Sequence, residues 1–239
     1  MKKKLLYTLF IIVIIFTSVL QLSCRSCCER PVEECTEILF YDDFETDVVG
    51  NSPSTSPAGD PVDDSIVLPD GSGGYIHVIN SGPFGSKAVE IARGSSSDVI
   101  LSCITGSAPE NSGIYTVEFK AYNGEEGGLV PAMTVRVKST DGKTALRLIV
   151  DNNDYTLVHG TGTETLSVGY TINNIDKIKF RIDISEKKIS VSINDVYVAS
   201  GKPLLEPEFA NLSELSFQFP PAILEAWGKY IIDDIKICQ

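Results

Sequence analysis

The stretch Lys177–Ala199 (KIKFRIDISEKKISVSINDVYVA) decides the fold class, because apolar and polar residues alternate along most of it. Successive side chains of a β-strand point to opposite faces, so this period of two predicts half-buried strands. The pair Asn194-Asp195 separates two such runs and predicts a tight hairpin turn. The expected inward row of the first strand is Ile178, Phe180, Ile182 and Ile184, opposite Lys177, Lys179, Arg181 and Asp183.

Similar alternation recurs outward from this hairpin in both directions along the chain. Tyr115–Ala121 (YTVEFKA) and Met133–Lys138 (MTVRVK) show it most clearly. About a dozen short strands punctuated by Gly, Asn, Asp and Ser predict an all-β antiparallel sandwich. The remaining predicted strands are Ile38–Phe44, Tyr75–Ile79, Ala88–Ile91, Val99–Ile104, Ala145–Val150, Tyr155–His159, Leu212–Phe219 and Lys229–Ile237.

The N-terminus has the pattern of an export signal. Lys2, Lys3 and Lys4 precede the apolar run Leu5–Leu20, which at 16 residues is shorter than the roughly 20 that a membrane-spanning helix needs. The segment resembles a bacterial lipoprotein signal, with Ser23 before a lipid-modified Cys24, although Gln21 stands where that family usually has Leu. An ordinary cleaved signal and an uncleaved anchor remain alternatives. The domain prediction is a signal peptide over residues 1–23, a tether over 24–36 and a β-sandwich over 37–239.

Export changes the meaning of the other five cysteines. Outside the cytoplasm disulfides persist, so Cys27, Cys28, Cys35, Cys103 and Cys238 are bridge candidates before they are metal ligands. Five is odd, so at least one stays reduced or pairs with another chain. Cys103 lies in the apolar run VILSCI and is predicted to be a buried thiol.

The charge balance restricts the partners. The formal net charge is −12, and loss of the lysine-bearing signal makes it more negative. Such a surface repels nucleic acid, which excludes it as a partner class. Neutral glycans, cationic proteins and calcium remain compatible, as does a charge that serves solubility alone.

Three short stretches carry a resemblance to a known fold family. The opening ILFYDDFETDVVGNSP, the hairpin KFRIDISEKKISVSINDVYVASG and the closing KYIIDDIKI are similar to the concanavalin A-like jelly roll of lectins, laminin-G domains and glucanases. The resemblance implies that the first and last strands are neighbours, and it therefore implies a disulfide between Cys35 and Cys238. It also implies a structural calcium site, with hard oxygen ligands from Asp42, Asp43, Glu45, Asp233 and Asp234. Alternatively, these acids face water at a sheet edge and suppress aggregation.

The catalytic motifs of the family are not found in the sequence. Glucanases of this fold use E-x-D-x-E or E-x-D-x-x-E on one strand, because retaining hydrolysis needs two carboxylates about 5 Å apart. Alginate-lyase relatives use Gln-x-His, whereas Tyr75-Ile76-His77 lacks the Gln. We therefore predict no catalytic residues, with a glycoside hydrolase or polysaccharide lyase as the lesser alternative.

A glycan-binding site would use aromatic faces beside amide side chains. Trp227, Tyr122 and Tyr155 lie in or next to predicted loops, and Asn152 and Asn153 precede Tyr155, so these five residues are the predicted ligand-binding set. Trp227 could equally close the core. The sequence thus predicts a lipid-anchored carbohydrate-binding or adhesion module of the bacterial cell envelope, at the outer membrane or cell surface. The alternative is a structural or protein-interaction lipoprotein of an envelope complex.

Overall fold

The protein is an antiparallel β-structure throughout its described residues. The computed structural model describes residues 35–53, 65–68, 74–80, 82–92, 99–105, 113–125, 133–151, 154–169, 173–219 and 228–239, all within the compact unit Cys35–Gln239. None of these residues belongs to a helix long and apolar enough to span a membrane. The strands are β1 Ile38–Asp42, β2 Ser65–Leu68, β3 Tyr75–Ile79, β4 Ala88–Ala92, β5 Val99–Ile104, β6 Ile114–Glu125, β7 Met133–Lys138, β8 Thr144–Asp151, β9 Asp154–His159, β10 Gly162–Gly169, β11 Ile175–Asp183, β12 Lys188–Ile193, β13 Val196–Pro203, β14 Glu214–Phe219 and β15 Gly228–Cys238.

Two sheets form the sandwich that the alternation predicts. The eight-stranded sheet has the order β13-β12-β11-β6-β15-β4-β3, with β1 also paired to β15. The seven-stranded sheet has the order β10-β9-β8-β7-β14-β5-β2. The pairings between the described strands are all antiparallel, and non-consecutive neighbours such as β6 and β15 show that the chain crosses repeatedly between sheets. The predicted fold class is therefore confirmed.

The core lies between the two sheets and is filled by the inward rows. Phe119 on β6 contacts Phe180 on β11, with ring centroids 5.9 Å apart, and Phe217 on β14 at 5.0 Å in an edge-to-face arrangement. All three side chains are completely buried. Because Phe217 belongs to the seven-stranded sheet and the other two belong to the eight-stranded sheet, this cluster joins the layers. Edge-to-face pairs add about 0.5–1.5 kcal/mol each beyond the area that they bury.

The last strand, β15, changes partner halfway along one of its edges. Its first half pairs with β4 through Lys229–Ile232, and its second half pairs with β1 through Ile235–Cys238. The register against β6 shifts between Asp233 and Lys236, and Asp234 has a φ of +50°. A β-bulge inserts an extra residue and bends its strand, which fits the change of partner. The first and last strands are thus neighbours, as the resemblance implied.

The strand boundaries agree well with the sequence pattern where the alternation is strong. Val99–Ile104 and Met133–Lys138 match β5 and β7. Asn194 and Asp195 both have positive φ, at 51° and 63°, which a two-residue hairpin turn of the primed type requires. Two strands, β2 and β10, were not predicted, because β2 has only four residues and β10 is a polar edge strand with one buried position, Leu166.

Candidate functional site

The outward face of the seven-stranded sheet carries a row of four polar residues and one valine that crosses its middle strands. The register aligns Ser102 of β5, Ser216 of β14, Arg136 of β7, Arg147 of β8 and Val158 of β9. We call these five residues the arginine row. Their neighbours along the strands are mostly buried core residues, so the row points away from the core. The two serines are 6% and 1% exposed, whereas the two arginines are half-buried.

Two like charges face each other in this row. Arg136 and Arg147 are direct cross-strand partners, and the Cβ atoms of such partners lie about 5 Å apart. Arginine stays protonated in proteins, and like charges directly opposite one another destabilise a sheet. Arg147 makes no hydrogen bond or ion pair with any residue that the structure describes. The row therefore holds a guanidinium charge that the described residues leave uncompensated.

The carboxylate next to this row has other partners. Glu214 on β14 accepts hydrogen bonds on Oε1 from Lys138 Nζ at 2.8 Å and from Ser102 Oγ at 2.9 Å. In the next row, Gln218 of β14 is paired with Thr134 of β7, which adds an amide and a hydroxyl to the same face. The face thus combines cations, hydroxyls and an amide, and these groups suit an oxygen-rich ligand.

The outward face of the eight-stranded sheet has a different electrostatic character. Its charged residues pair with one another: Lys177 contacts Glu118 at 3.1 Å, and Lys179 contacts Glu118 at 3.8 Å. The hydrogen bond from Lys177 to Glu118 raises the pKa of the lysine. Such exposed pairs contribute about 0–1 kcal/mol each. This part of the surface is a solvated face whose charges are already matched.

Tyr122, one of the predicted sugar-binding residues, lies on the eight-stranded sheet. The register places it in a row between Ile175 of β11 and Ile231 of β15. Its hydroxyl donates to Asn173 Oδ1 at 2.9 Å, and its side chain is partly exposed. Tyr122 is therefore accessible, but it is on the opposite side of the sandwich from the arginine row.

A second polar cluster on the eight-stranded sheet surrounds Glu90. Tyr75 donates its hydroxyl to Glu90 Oε1 at 2.6 Å, and Lys229 Nζ lies 3.3 Å from Oε2. The rings of Tyr75 and His77 stack in parallel with centroids 4.2 Å apart, and His77 Nε2 is 3.7 Å from Glu90. Glu90 is 7% exposed, so these partners compensate a buried carboxylate. The sequence showed Tyr75 and His77 on one strand face, but the contribution of Glu90 and Lys229 needed the register.

Tyr155 does not lie on the surface, and its predicted sugar-stacking role is wrong. Its side chain is 1% exposed, and its hydroxyl donates to Asp176 Oδ2 at 2.7 Å across the sandwich. Asn194 donates to the other carboxylate oxygen at 2.7 Å. Tyr155 has the same strand parity as Leu157, an inward residue, and this signal in the sequence indicated its burial.

Three other members of the predicted ligand-binding set, Trp227, Asn152 and Asn153, lie outside the described residues. The same is true of Cys24, the predicted lipidation site, and of the rest of the predicted signal. The tether over residues 24–36 is described only at Cys35 and Thr36. These predictions stay predictions.

The acids on the first strand have protein partners of their own. Asp42 is 4% exposed and accepts the backbone N–H of Phe44, while Asp43 accepts the hydroxyl of Tyr41. Burial, with Asp43 as the next cause, raises the pKa of Tyr41 to about 12. Glu45 accepts the backbone N–H of Lys87 at 2.8 Å. Each of the three carboxylates thus accepts a hydrogen bond from a nearby residue of the chain.

The acids on the last strand occupy the bulge of β15. Asp233 is 1% exposed and accepts the hydroxyl of Ser86 at 2.9 Å, and burial raises the pKa of its carboxyl. Asp234 forms an ion pair with Lys120, whose pKa this hydrogen bond raises. The described residues contain no group of three or more His, Cys, Asp or Glu side chains that could hold a metal ion. The predicted calcium site thus receives no support from the described geometry.

The termini of the sandwich are joined covalently. Cys35 and Cys238 form a disulfide with Cα atoms 5.5 Å apart, next to the pairing of β1 with β15. This is the bridge that the resemblance implied. Cys103 is completely buried in β5, as the apolar run around it predicted.

Comparisons with known proteins identify the fold but no closer relationship. No protein-family model matches the chain, and no curated protein matches it. Among solved structures, it is similar to a sialidase, with a TM-score of 0.61 and 11% identity over 87% of this chain and 19% of that chain. The chain thus spans about a fifth of the sialidase.

For two further solved structures, the alignment with this chain covers almost the whole of the other protein. A cellulose induced protein, Cip1, has a TM-score of 0.57 and 14% identity over 83% of this chain and 96% of that chain. The lectin UEA-II, complexed with galactose, has a TM-score of 0.51 and 7% identity over 73% of this chain and 92% of that chain. These similarities show the fold alone, which is a concanavalin A-like jelly roll.

Proposed function

We propose that the protein is a non-catalytic carbohydrate-binding module, held at the bacterial cell envelope by a lipid on Cys24. The observation that carries the proposal is the arginine row, where Arg147 projects from the sheet without a partner among the described residues. Half-buried polar side chains on a broad sheet face can donate hydrogen bonds to sugar hydroxyls and carboxyls. The fold is shared with a lectin whose solved complex holds galactose, and this supports the ligand class.

Binding is favoured over hydrolysis by the chemistry of this face. Most glycoside hydrolases use two carboxylates that flank the scissile bond. Among the described residues of the arginine row and the positions beside it, the carboxylate is Glu214, and Lys138 and Ser102 already contact it. This carboxylate therefore already has two protein partners, and the described face offers no second carboxylate beside it.

A glycan array tests the binding function and, at the same time, which sheet carries the binding site. The full chain, purified in detergent, is applied to neutral and acidic glycans, beside the double variant Thr134→Ala/Gln218→Ala and the opposite-face variant Tyr122→Ala. We expect the double variant to bind weakly and Tyr122→Ala to bind like the wild type. The reverse result would move the site to the eight-stranded sheet, and a wild type that binds no glycan would refute the function.

The location at the envelope has its own measurement. Mass spectrometry of the membrane fraction should find a chain that begins at lipid-modified Cys24. An intact Met1 terminus or an unmodified Cys24 would contradict the anchor without affecting the glycan result.

A protein-interaction role in an envelope complex is the second candidate. It is favoured by Val196 and Tyr197 on the edge strand β13, which are 58% and 65% exposed. An exposed sheet edge with apolar side chains is a common docking surface for other chains. Co-purification of one envelope protein with the wild type, and its loss with Val196→Ser/Tyr197→Ser, would favour this role.

A further inference from the structure

We infer that the glycan bound on this face is anionic, with a carboxylate or sulfate group held between Arg136 and Arg147. The inference rests on the proposed glycan-binding function and specifies its ligand class. It comes from the cross-strand register, which sets two guanidinium groups against each other on β7 and β8. Neither residue suggests this pairing by its position in the sequence.

An anion between the two arginines converts repulsion into attraction. Each guanidinium presents a planar fork of N–H donors that fits a carboxylate or a similar oxyanion with two parallel hydrogen bonds. Cross-strand partners stand about 5 Å apart at Cβ, so one oxyanion can contact both forks. Half-burial strengthens these contacts, because the local dielectric is lower than in water.

The described neighbours of Arg147 leave its guanidinium group open to such a contact. Lys138 and Ser102 both contact Glu214 on the carboxylate oxygen Oε1, within 2.9 Å. On the far side of Arg147 the row continues with Val158, which carries no charge. Arg147 has no hydrogen bond or ion pair among the described residues, so an incoming anion does not have to displace a partner from it.

The overall negative charge of the protein restricts where an anionic glycan can bind. With a formal net charge of −12, the chain as a whole repels polyanions. Binding of an anionic polysaccharide therefore requires a local cationic site. The described residues around Glu118, on the outward face of the eight-stranded sheet, do not form an equivalent cationic site. The two lysines there, Lys177 and Lys179, already contact the Glu118 carboxylate.

The test measures the affinity of the full chain, in detergent, for three polysaccharides. Polygalacturonate carries carboxylates, carrageenan carries sulfates, and a neutral galactan carries neither. The variants are Arg147→Gln, Arg147→Lys and the control Arg181→Gln, which removes an equal charge from the opposite sheet. Arg147→Lys keeps the charge but loses the planar fork.

We expect the wild type to bind at least one anionic polymer more tightly than the galactan. Arg147→Gln should weaken this binding about ten- to a hundredfold, as for the loss of charged hydrogen bonds. Arg147→Lys should fall in between, and Arg181→Gln should match the wild type. Comparison of the two anionic polymers identifies carboxylate or sulfate as the group that is bound.

The contrary outcomes separate the two proposals. Wild-type binding to the galactan alone, or equal binding by Arg147→Gln and the wild type, would overturn the anionic inference and leave the glycan function standing. An equal loss with Arg181→Gln would also overturn it, since it would indicate a general charge effect. A wild type that binds none of these polymers, or any glycan of the array, would refute the function itself.

Folding of Arg147→Gln provides an independent readout. Removing one of two opposed like charges should leave its urea unfolding midpoint unchanged or slightly higher. A lower midpoint would mean that Arg147 stabilises the fold through contacts of its own. That result would contradict the inference that its charge is uncompensated until an anion binds.

Discussion

Replacement of Tyr155 by Phe tests the polar link between the two sheets. The substitution removes the hydroxyl that donates to Asp176 at 2.7 Å and keeps the ring that packs in the core. Asp176 is 4% exposed, so water does not readily replace the lost donor, and Asn194 remains as the partner of its other oxygen. A hydrogen bond to a charged group contributes about 1.5–3 kcal/mol, so we expect the free energy of unfolding to fall by about 2 kcal/mol.

Urea denaturation with the disulfide intact measures this loss. For a domain of this size the same change should lower the thermal midpoint by about 4–8 °C. The matched control is Tyr197→Phe, because that tyrosine is 65% exposed and lies at the surface of the sheet. It should change the free energy of unfolding by no more than about 0.5 kcal/mol.

Two results would refute the reasoning about Tyr155. Equal stability of Tyr155→Phe and the wild type would mean that the hydroxyl contributes no net hydrogen bond. A loss of glycan binding at unchanged stability would return Tyr155 to the ligand-binding set, which its 1% exposure argues against.

Three further predictions concern the termini, the bulge and a close backbone contact. Cys35→Ser should lower the free energy of unfolding by about 5 kcal/mol, the loss of chain entropy expected for a bridge to Cys238 that spans 203 residues; thermal unfolding with and without reductant measures this. Asp233→Asn should change the pH dependence of stability. Burial raises the pKa of Asp233 in the folded state, so its stabilising contribution is complete below the ordinary value of 3.8 and is lost as the pH rises through the raised pKa. The wild type should therefore lose stability relative to Asp233→Asn over that interval, as urea denaturation at a series of pH values will measure. Gly160→Ala should cost about 1–3 kcal/mol in thermal unfolding, because a Cβ there would collide with the backbone oxygen of Leu204.

Each of these predictions has a control or a contrary result. Reductant should not change the midpoint of Cys35→Ser, and a wild type insensitive to reductant would argue against the bridge. A constant difference between wild type and Asp233→Asn across the pH series would mean that the carboxyl titrates normally. For Gly160→Ala the control is Gly82→Ala, whose new Cβ would meet side-chain atoms at 3.3 Å or more and should be tolerated better.

The strands were predictable wherever burial on one face imposes a period of two. Met133–Lys138 is an example, because its inward Met, Val and Val are completely buried while Thr134, Arg136 and Lys138 point outward. The pattern fails for β10, a polar edge strand, since a strand that packs little apolar surface needs no apolar row. The β2 strand is too short to show a period.

The candidate site was much less predictable than the strands. The sequence places Arg136 and Arg147 on outward positions of two strands, but their opposition depends on the register between β7 and β8. Aromatic residues near loops were a reasonable choice for sugar binding, yet Tyr155 is buried and Tyr122 lies on the other sheet. The alternation along β9 indicates that Tyr155 faces the core, whereas the sheet to which Tyr122 belongs is known only from the strand pairing.

The sequence by itself determined the all-β class, many of the strands and the inward or outward side of most residues in them. These follow from local backbone geometry, which fixes the direction of each side chain relative to its neighbours. Only the tertiary structure decided which sheet each strand joins, that Arg136 meets Arg147 and that Tyr155 binds Asp176 across the core. Such contacts join residues on different strands, and their geometry is set by the packing of the two sheets around one common core.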